Sequence, residues 1–133
     1  MCKTIKQRVK FKADPATVYD LLADSRKHSA ITGRRAIISK KVGGTFCIGE
    51  NDVTGIIVDL VPGRRIVQAW RHHRFPEGIY SMAALTLSPT PDGGTELVLV
   101  HRGVPKELIP ETEEAWRDQV WHRMKAYLDQ ERR

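Results

Sequence analysis

The residues of this chain most able to do chemistry are its cysteines and histidines, and their spacing limits what that chemistry can be. Cys2 and Cys47 form no C-x-x-C pair and have no histidines at the spacing of a structural zinc site. His72 and His73 are adjacent and would point to opposite sides of a continuous strand, so a two-histidine metal site would need a bend there. We therefore expect a wet strand end at these histidines, no metal site and no cofactor.

Nucleophilic catalysis would need a serine or cysteine beside a general base. Cys47 lies in a predicted strand with no identifiable base, and nothing in the sequence marks Ser81 as an activated hydroxyl. Because no set of acid, base and nucleophile can be assigned, we predict a non-enzymatic protein without catalytic residues.

His101 is the histidine that the pattern places inside the protein. It alternates in phase with Leu97 and Leu99, which are expected to face the last helix. A hydrogen-bonded core histidine is the favoured interpretation, and a histidine that contacts a ligand in a cavity is the alternative.

Trp70 is a second candidate for a ligand contact, although a tryptophan at this spacing also suits a core. Its own face of the predicted strand carries Ile66 and Gln68. The opposite face carries Val67 and Ala69, so alternation alone leaves open which face points inward.

The elements that must position these residues follow from hydrophobic periodicity. Residues Ile5 to Phe11 alternate apolar and mainly basic, which is typical of a strand with one wet face. Asp14 before Pro15 predicts the start of a short helix, and Asp24 with Gly33 bounds a second one. Six further strands, separated by turn residues, are predicted at Ala36 to Ser39, Thr45 to Ile48, Val53 to Val61, Ile66 to His72, Ile79 to Ser88 and Thr95 to Arg102.

The chain closes with a predicted amphipathic helix from Pro110 to about Gln130. Its roughly 20 residues would span about 30 Å, long enough to cross a curved sheet. The order of elements predicts an α+β helix-grip fold, in which a curved antiparallel seven-stranded sheet wraps around the long C-terminal helix. The apolar series of this helix is Trp116, Val120, Met124, Tyr127 and Leu128.

Length and charge narrow the class of protein. The 133 residues (15.1 kDa) suit one domain spanning 1–133. The net charge of +6 attracts acidic partners, but without RNP aromatics, a helix-turn-helix or a zinc finger we expect no nucleic-acid binding. With no signal peptide and no apolar run near the ~20 residues of a membrane span, we expect a cytoplasmic protein.

Short segments along nearly the whole chain form a pattern that is more specific than any one of them. They are His28-Ser29-Ala30-Ile31-Thr32-Gly33, Val42-Gly43-Gly44-Thr45-Phe46, Gly55, Leu60-Val61-Pro62, Ile66-Val67-Gln68-Ala69-Trp70-Arg71, Tyr80-Ser81, Gly94-Thr95-Glu96-Leu97, His101-Arg102-Gly103-Val104-Pro105 and Ala115-Trp116. In this order they resemble the activator of heat shock protein 90 ATPase (Aha-type) branch of the START-like, birch-allergen-like (SRPBCC) superfamily. Ala115 departs from the glycine that commonly precedes the helix tryptophan.

The resemblance implies a binding module whose cavity, between sheet and C-terminal helix, receives a hydrophobic small molecule. A co-chaperone-like domain for protein interaction and stress response is the alternative, and a small-molecule cyclase or hydrolase is the third. The family's eukaryotic co-chaperone carries a further N-terminal domain, which the residues before Ile5 cannot encode, so we expect little chaperone activation. The candidate ligand-binding residues are Trp70, Leu97, Leu99, His101, Trp116, Val120 and Met124.

Overall fold

A computed structural model describes residues 3–131, with the side chains of 3–130 placed. Its framework is one antiparallel sheet of seven strands in the order β1-β7-β6-β5-β4-β3-β2. Cys2 lies outside the described residues. The strands are β1 (Ile5–Phe11), β2 (Ala36–Ile38), β3 (Thr45–Ile48), β4 (Val53–Val61), β5 (Arg65–His72), β6 (Ser81–Pro89) and β7 (Thr95–Arg102).

The alternation predicted for β1 is present, since Ile5, Val9 and Phe11 are buried while the lysines and the arginine between them are exposed. β1 pairs with the last strand, from Ile5 opposite His101 to Phe11 opposite Thr95. This pairing brings the inner face of the first strand beside the chemistry-bearing residues of β7.

Two short helices follow β1, as the sequence predicts. They are α1 (Pro15–Ala23) and α2 (Ser25–Thr32), and each begins at an aspartate that caps a free backbone N–H. The carboxylate oxygen Oδ1 of Asp14 accepts from the Thr17 N–H at 3.0 Å, and that of Asp24 accepts from Lys27 at 2.9 Å. Gly33 then ends α2 with φ 71°, a conformation that favours glycine.

The predicted C-terminal helix is confirmed but is not uniform. A 3₁₀ turn (Lys106–Leu108) leads into α3 (Ile109–Ala115), a π-helical turn (Trp116–Trp121) and α4 (His122–Glu131). The backbone stays helical through both junctions, and in the π turn the N–H of His122 donates to Arg117, five residues earlier. We call the span Ile109–Glu131 the C-terminal helix.

A glutamine on β1 fastens this irregular turn to the sheet. The Oε1 atom of Gln7 accepts from the indole N–H of Trp121 at 2.7 Å. Its Nε2 group donates to the carbonyl of Glu113 at 3.0 Å. The π turn places Trp116 and Trp121 on one face with their rings stacked, centroids 5.3 Å apart, which a regular helix would not do for residues five apart.

Strand limits differ from the prediction by one or two residues. β2 ends at Ile38 instead of Ser39, and β5 begins one residue early at Arg65. β6 runs over Ser81–Pro89, whereas the prediction began at Ile79. The guanidinium of Arg71 explains this last shift, because it donates to three carbonyls of the preceding segment, those of Phe75, Pro76 and Ile79. That segment is thereby held as a turn.

The orientation of β5, which alternation left open, is resolved. Trp70, Gln68 and Ile66 face the C-terminal helix and are at most 7% exposed. On the other side, Ala69 is half-buried, and Val67 is buried but lies outside the main core cluster. No helix within residues 3–131 is both long enough and apolar enough to cross a membrane.

Candidate binding cavity

A cavity of about 430 Å³ lies between the inner face of the sheet and the helices. Apolar side chains form much of its wall, including Leu22, Ile38, Val53 and Leu85. Charged and amide side chains lie along it as well, and these are Arg34, Asp52, Gln68, His72, Glu111, Glu114, Asp118 and Gln119. The cavity therefore combines an apolar lining with a substantial polar part.

The predicted ligand contacts divide into two groups. Trp70, Trp116 and Val120 line the cavity. The remaining four are fully buried in the core and do not line the cavity; they are Leu97, Leu99, His101 and Met124. A ligand role for the seven stays a prediction.

A row of stacked indole rings runs from the cavity wall into the part of the core beside β1. The ring centroids of Trp70 and Trp116 are 6.2 Å apart with an interplanar angle of 28°. Trp116 in turn stacks on Trp121, whose edge meets Phe11 with centroids 6.2 Å apart. Because offset aromatic pairs stabilise beyond their buried area, this row of rings stabilises the cavity wall that Trp70 and Trp116 form.

His101 is at the centre of a buried hydrogen-bond chain. The Trp116 indole N–H donates to His101 Nδ1 at 3.1 Å, so that nitrogen carries no proton. His101 Nε2 lies 2.7 Å from the Ser81 hydroxyl, and that hydroxyl donates to the Trp70 carbonyl at 2.9 Å. The imidazole is therefore neutral with its proton on Nε2, and burial lowers its pKa from the usual 6.5 to about 4.

Ser81 and His101 are the residue types of a nucleophile and a general base, but the hydrogen bond between them runs in the wrong direction for that chemistry. His101 donates to Ser81 and has no free lone pair with which to take the serine proton. Both side chains are at most 1% exposed, so the core encloses them. His101 is thus the hydrogen-bonded core histidine that the sequence favours.

His28, on α2, is a second buried histidine with a different environment. Its Nδ1 lies 3.0 Å from the Leu21 carbonyl, which can only accept, so Nδ1 carries the proton. Burial lowers the pKa of His28, which keeps the ring neutral. Nε2 is then a bare acceptor, and the side chain lines the cavity while only 5% exposed.

Gln68 is the other deeply placed polar residue of the cavity. It is 7% exposed, yet within residues 3–131 its amide makes no hydrogen bond to the protein. No side-chain N or O atom in this part of the chain is both enclosed and unpartnered, so the amide opens onto the cavity that Gln68 lines.

Arg34 bonds to two other polar residues of the cavity lining, Asp52 and Gln119, and we call this polar edge of the cavity the rim. Its Nη1 group donates to Gln119 Oε1 at 2.8 Å, and its Nη2 group donates to Asp52 Oδ2 at 2.6 Å. A second guanidinium, that of Arg74, pairs with Glu111. These bonds use two of the five N–H donors of Arg34, and its charge is paired with the Asp52 carboxylate.

The adjacent histidines lie at the end of β5, beside this rim. The strand ends at His72, and the following bend brings the rings of His72 and His73 to a centroid separation of 4.2 Å. Burial and the neighbouring His73 lower the pKa of His72. Among the described residues, no group of three or more His, Cys, Asp and Glu is placed to hold a metal ion.

The sequence and the fold of this chain are similar to those of known proteins. Residues 12–129 match the protein family described as activator of Hsp90 ATPase homolog 1-like protein. The chain belongs to this family. A member from Dictyostelium discoideum, the "activator of 90 kDa heat shock protein ATPase homolog", is 29% identical over 92% of this chain and 32% of its own length.

Other relatives of the activator of Hsp90 ATPase homolog 1-like family support the assignment. The human "activator of 90 kDa heat shock protein ATPase homolog 1" is 32% identical over 86% of this chain and 33% of its own length. This chain therefore spans about a third of the curated relatives it matches. A crystal structure of an HSP90 activator from Plasmodium falciparum has the same fold, with a TM-score of 0.90 at 18% identity, covering 95% of this chain and 96% of that one.

His28 and Gln68 were not among the candidates predicted from the sequence, yet both lie in segments that resemble the activator of Hsp90 ATPase homolog 1-like family. Gln68 lies on the same face of β5 as Ile66 and Trp70, and a single amide on an otherwise apolar face is a sequence signal for a candidate binding residue. His28 lies three and four residues before the buried Ile31 and Thr32, the spacing of one helix face.

Proposed function

We propose that this chain is a non-enzymatic START-like module that binds an apolar small molecule between its sheet and its C-terminal helix. The observation that carries the proposal is the cavity of about 430 Å³, with Trp70, Trp116 and Leu85 in its wall. Small-molecule sites are commonly clefts of ≈ 300–1,000 Å³ with mostly apolar walls and a few placed polar groups. The cavity matches that description in volume and in lining.

The state of the candidate groups supports a non-enzymatic role. His101 and Ser81 are bonded to each other and to the core, away from the cavity. His28 is a neutral acceptor with no serine or cysteine beside it in the cavity lining. A binding role needs only the shape of the cavity and the polar groups that line it. The protein that we propose is cytoplasmic and needs no cofactor.

The test is ligand-induced stabilisation. A ligand that binds only the folded state at a hundredfold excess over its Kd should raise the free energy of unfolding by roughly 2.7 kcal/mol. We expect members of a panel of apolar metabolites and lipids to raise the melting temperature. The substitution Val120→Phe, which narrows the cavity, should reduce this shift, whereas Val58→Phe on the exposed outer face should not.

Failure of every apolar compound to change the melting temperature would contradict the proposal. So would equal shifts in Val120→Phe and the wild type, because ligand would then be binding elsewhere. The pair of variants separates binding in the cavity from nonspecific binding to exposed apolar residues.

A co-chaperone-like role is the second candidate, because the curated relatives carry the name activator of 90 kDa heat shock protein ATPase. The outer face of the sheet offers a surface for a protein partner: Ile56, Ala69 and Met82 form a row across three paired strands, and Ile56 and Met82 are 42% exposed. This chain, however, matches only about a third of those relatives.

The two candidates are separated by titrating the protein into the cognate chaperone while ATP turnover is followed at low and physiological salt. We expect weak or absent stimulation of the chaperone's ATP turnover. A partner that binds at two places gains from the high effective concentration of its second contact, and a partner with one contact does not. A saturable increase of several-fold that survives physiological salt would make the co-chaperone role primary, since salt screens nonspecific attraction of a +6 protein.

A further inference from the structure

Two polar side chains that line the cavity, within residues 3–131, have polar atoms that open onto it and make no hydrogen bond to the protein. An unsatisfied donor or acceptor in the interior of a protein is costly, so such groups normally bond to protein, water or ligand. His28 and Gln68 are more than nine-tenths buried, and each directs polar atoms into the same cavity. They mark where a ligand would be held.

The chemistry of His28 selects one kind of ligand group. Its Nε2 atom is a lone acceptor, because Nδ1 already donates to the Leu21 carbonyl. The matching group must donate a hydrogen bond. The amide of Gln68 both donates and accepts, so a hydroxyl satisfies both side chains, and an amino group satisfies His28 and the amide oxygen.

The charges around the cavity disfavour an anionic group. Four carboxylates line it, those of Asp52, Glu111, Glu114 and Asp118. Within residues 3–131, Arg34 is the single arginine or lysine in the lining, and its charge is already paired with the carboxylate of Asp52. An anion would therefore meet carboxylates without gaining a free cation.

We propose that the ligand is an apolar molecule that carries a hydroxyl or amino group and no negative charge, with that group bonded to His28 and Gln68. The inference rests on the proposed function and deepens it. The apolar part of the ligand lies against Trp70, Trp116 and Leu85, and the donor group is its point of orientation.

The test is isothermal titration calorimetry at neutral pH with four probes of equal chain length, each below the concentration at which it aggregates. The probes are n-decanol, n-decylamine, n-decanoate and n-decyl methyl ether. We expect n-decanol and n-decylamine to bind about five-fold or more tighter than the ether, the difference that one net hydrogen bond makes. The anion n-decanoate should bind most weakly.

A matched pair of variants locates the donor group. Gln68→Met keeps the length of the side chain and removes the amide, so the affinity for n-decanol should fall about five-fold, and that for the ether, whose oxygen can only accept, should fall by less. Gln130→Met makes the same substitution at an exposed position of the C-terminal helix and should leave both affinities unchanged. Melting curves check that both variants are folded.

The outcomes separate this inference from the proposed function. Binding of the ether as tightly as n-decanol, tightest binding of n-decanoate, or an unchanged n-decanol affinity in Gln68→Met would overturn the inference alone. Failure of all four probes to bind would overturn the binding module and the inference together.

Discussion

Two buried histidines, His101 on β7 and His28 on α2, are both neutral, but their hydrogen bonding is different. Both ring nitrogens of His101 are bonded to protein, in a chain that runs from the Trp116 indole to the Trp70 carbonyl. His28 has one nitrogen bonded and one directed into the cavity. Burial alone therefore does not distinguish a structural histidine from a candidate binding histidine; the count of its partners does.

The same contrast holds for two glutamines on the inner face of the sheet. Gln7 uses both ends of its amide, one on Trp121 and one on the backbone of Glu113. Gln68 uses neither end within the described residues. One half of the space beneath the C-terminal helix, around Gln7, His101 and Trp121, is thus closed by packing and hydrogen bonds, and we call it the closed half. The other half is the cavity, where His28 and Gln68 keep polar groups free to bond.

Removing the large residue shared by the two halves should have the largest effect. Trp116 stacks on Trp70 and Trp121, donates to His101, and is 8% exposed. Trp116→Ala should lower the free energy of unfolding by about 3–5 kcal/mol, measured by chemical denaturation. The control Val120→Ala, at a half-buried cavity position, should cost only about 1 kcal/mol.

A loss below about 1 kcal/mol for Trp116→Ala would show that the indole is not an anchor of the closed half. The division of the interior would then be wrong, because Trp116 joins its two halves.

Acid should weaken the closed half through His101. Folding favours the neutral imidazole, since its pKa falls from 6.5 to about 4. Its contribution is therefore fully present above pH 6.5 and is lost as the pH falls towards 4. At 1.36 kcal/mol per pKa unit, about 3 kcal/mol of unfolding free energy should disappear across that window.

His101→Gln isolates this contribution, because glutamine offers an acceptor and a donor but does not titrate in the window. The pH dependence of its unfolding free energy should be flatter than that of the wild type between pH 6.5 and 4. His122→Gln, at an exposed position, should keep the wild-type slope. Equal slopes in His101→Gln and the wild type would mean that His101 is not held neutral.

Much of the closed half could be predicted from the sequence because it depends on strand alternation. The phase of Leu97, Leu99 and His101 is set by a period of two, and all three are fully buried as predicted. The aspartate caps of α1 and α2 are equally local, since a cap needs only residues three apart.

The parts that could not be predicted depend on residues distant in the chain. The π turn brings Trp121 onto the face of Trp116, and its fastening comes from Gln7, more than a hundred residues away. The spacing of three and four residues through Trp116, Val120, Met124 and Tyr127 predicts a regular helix and misses Trp121. The cavity likewise depends on how far the helix stands from β5, which no local pattern encodes.

The matched glutamines give the smallest and most specific test. Gln7→Met and Gln68→Met remove the same amide from the inner face of the same sheet. Gln7→Met leaves the Trp121 N–H and the Glu113 carbonyl without their side-chain partner, so it should cost about 1–3 kcal/mol of unfolding free energy.

Gln68→Met removes an amide that bonds to no described residue, so nothing in the protein loses a partner. Methionine has a similar length and is apolar, and a cavity wall accepts it without a new polar cost. The unfolding free energy should therefore stay within about 0.5 kcal/mol of the wild type, or rise slightly. If Gln68→Met instead destabilised the protein as much as Gln7→Met, Gln68 would be a structural residue held by water. The two halves of the interior would then differ in shape but not in how their polar groups are satisfied.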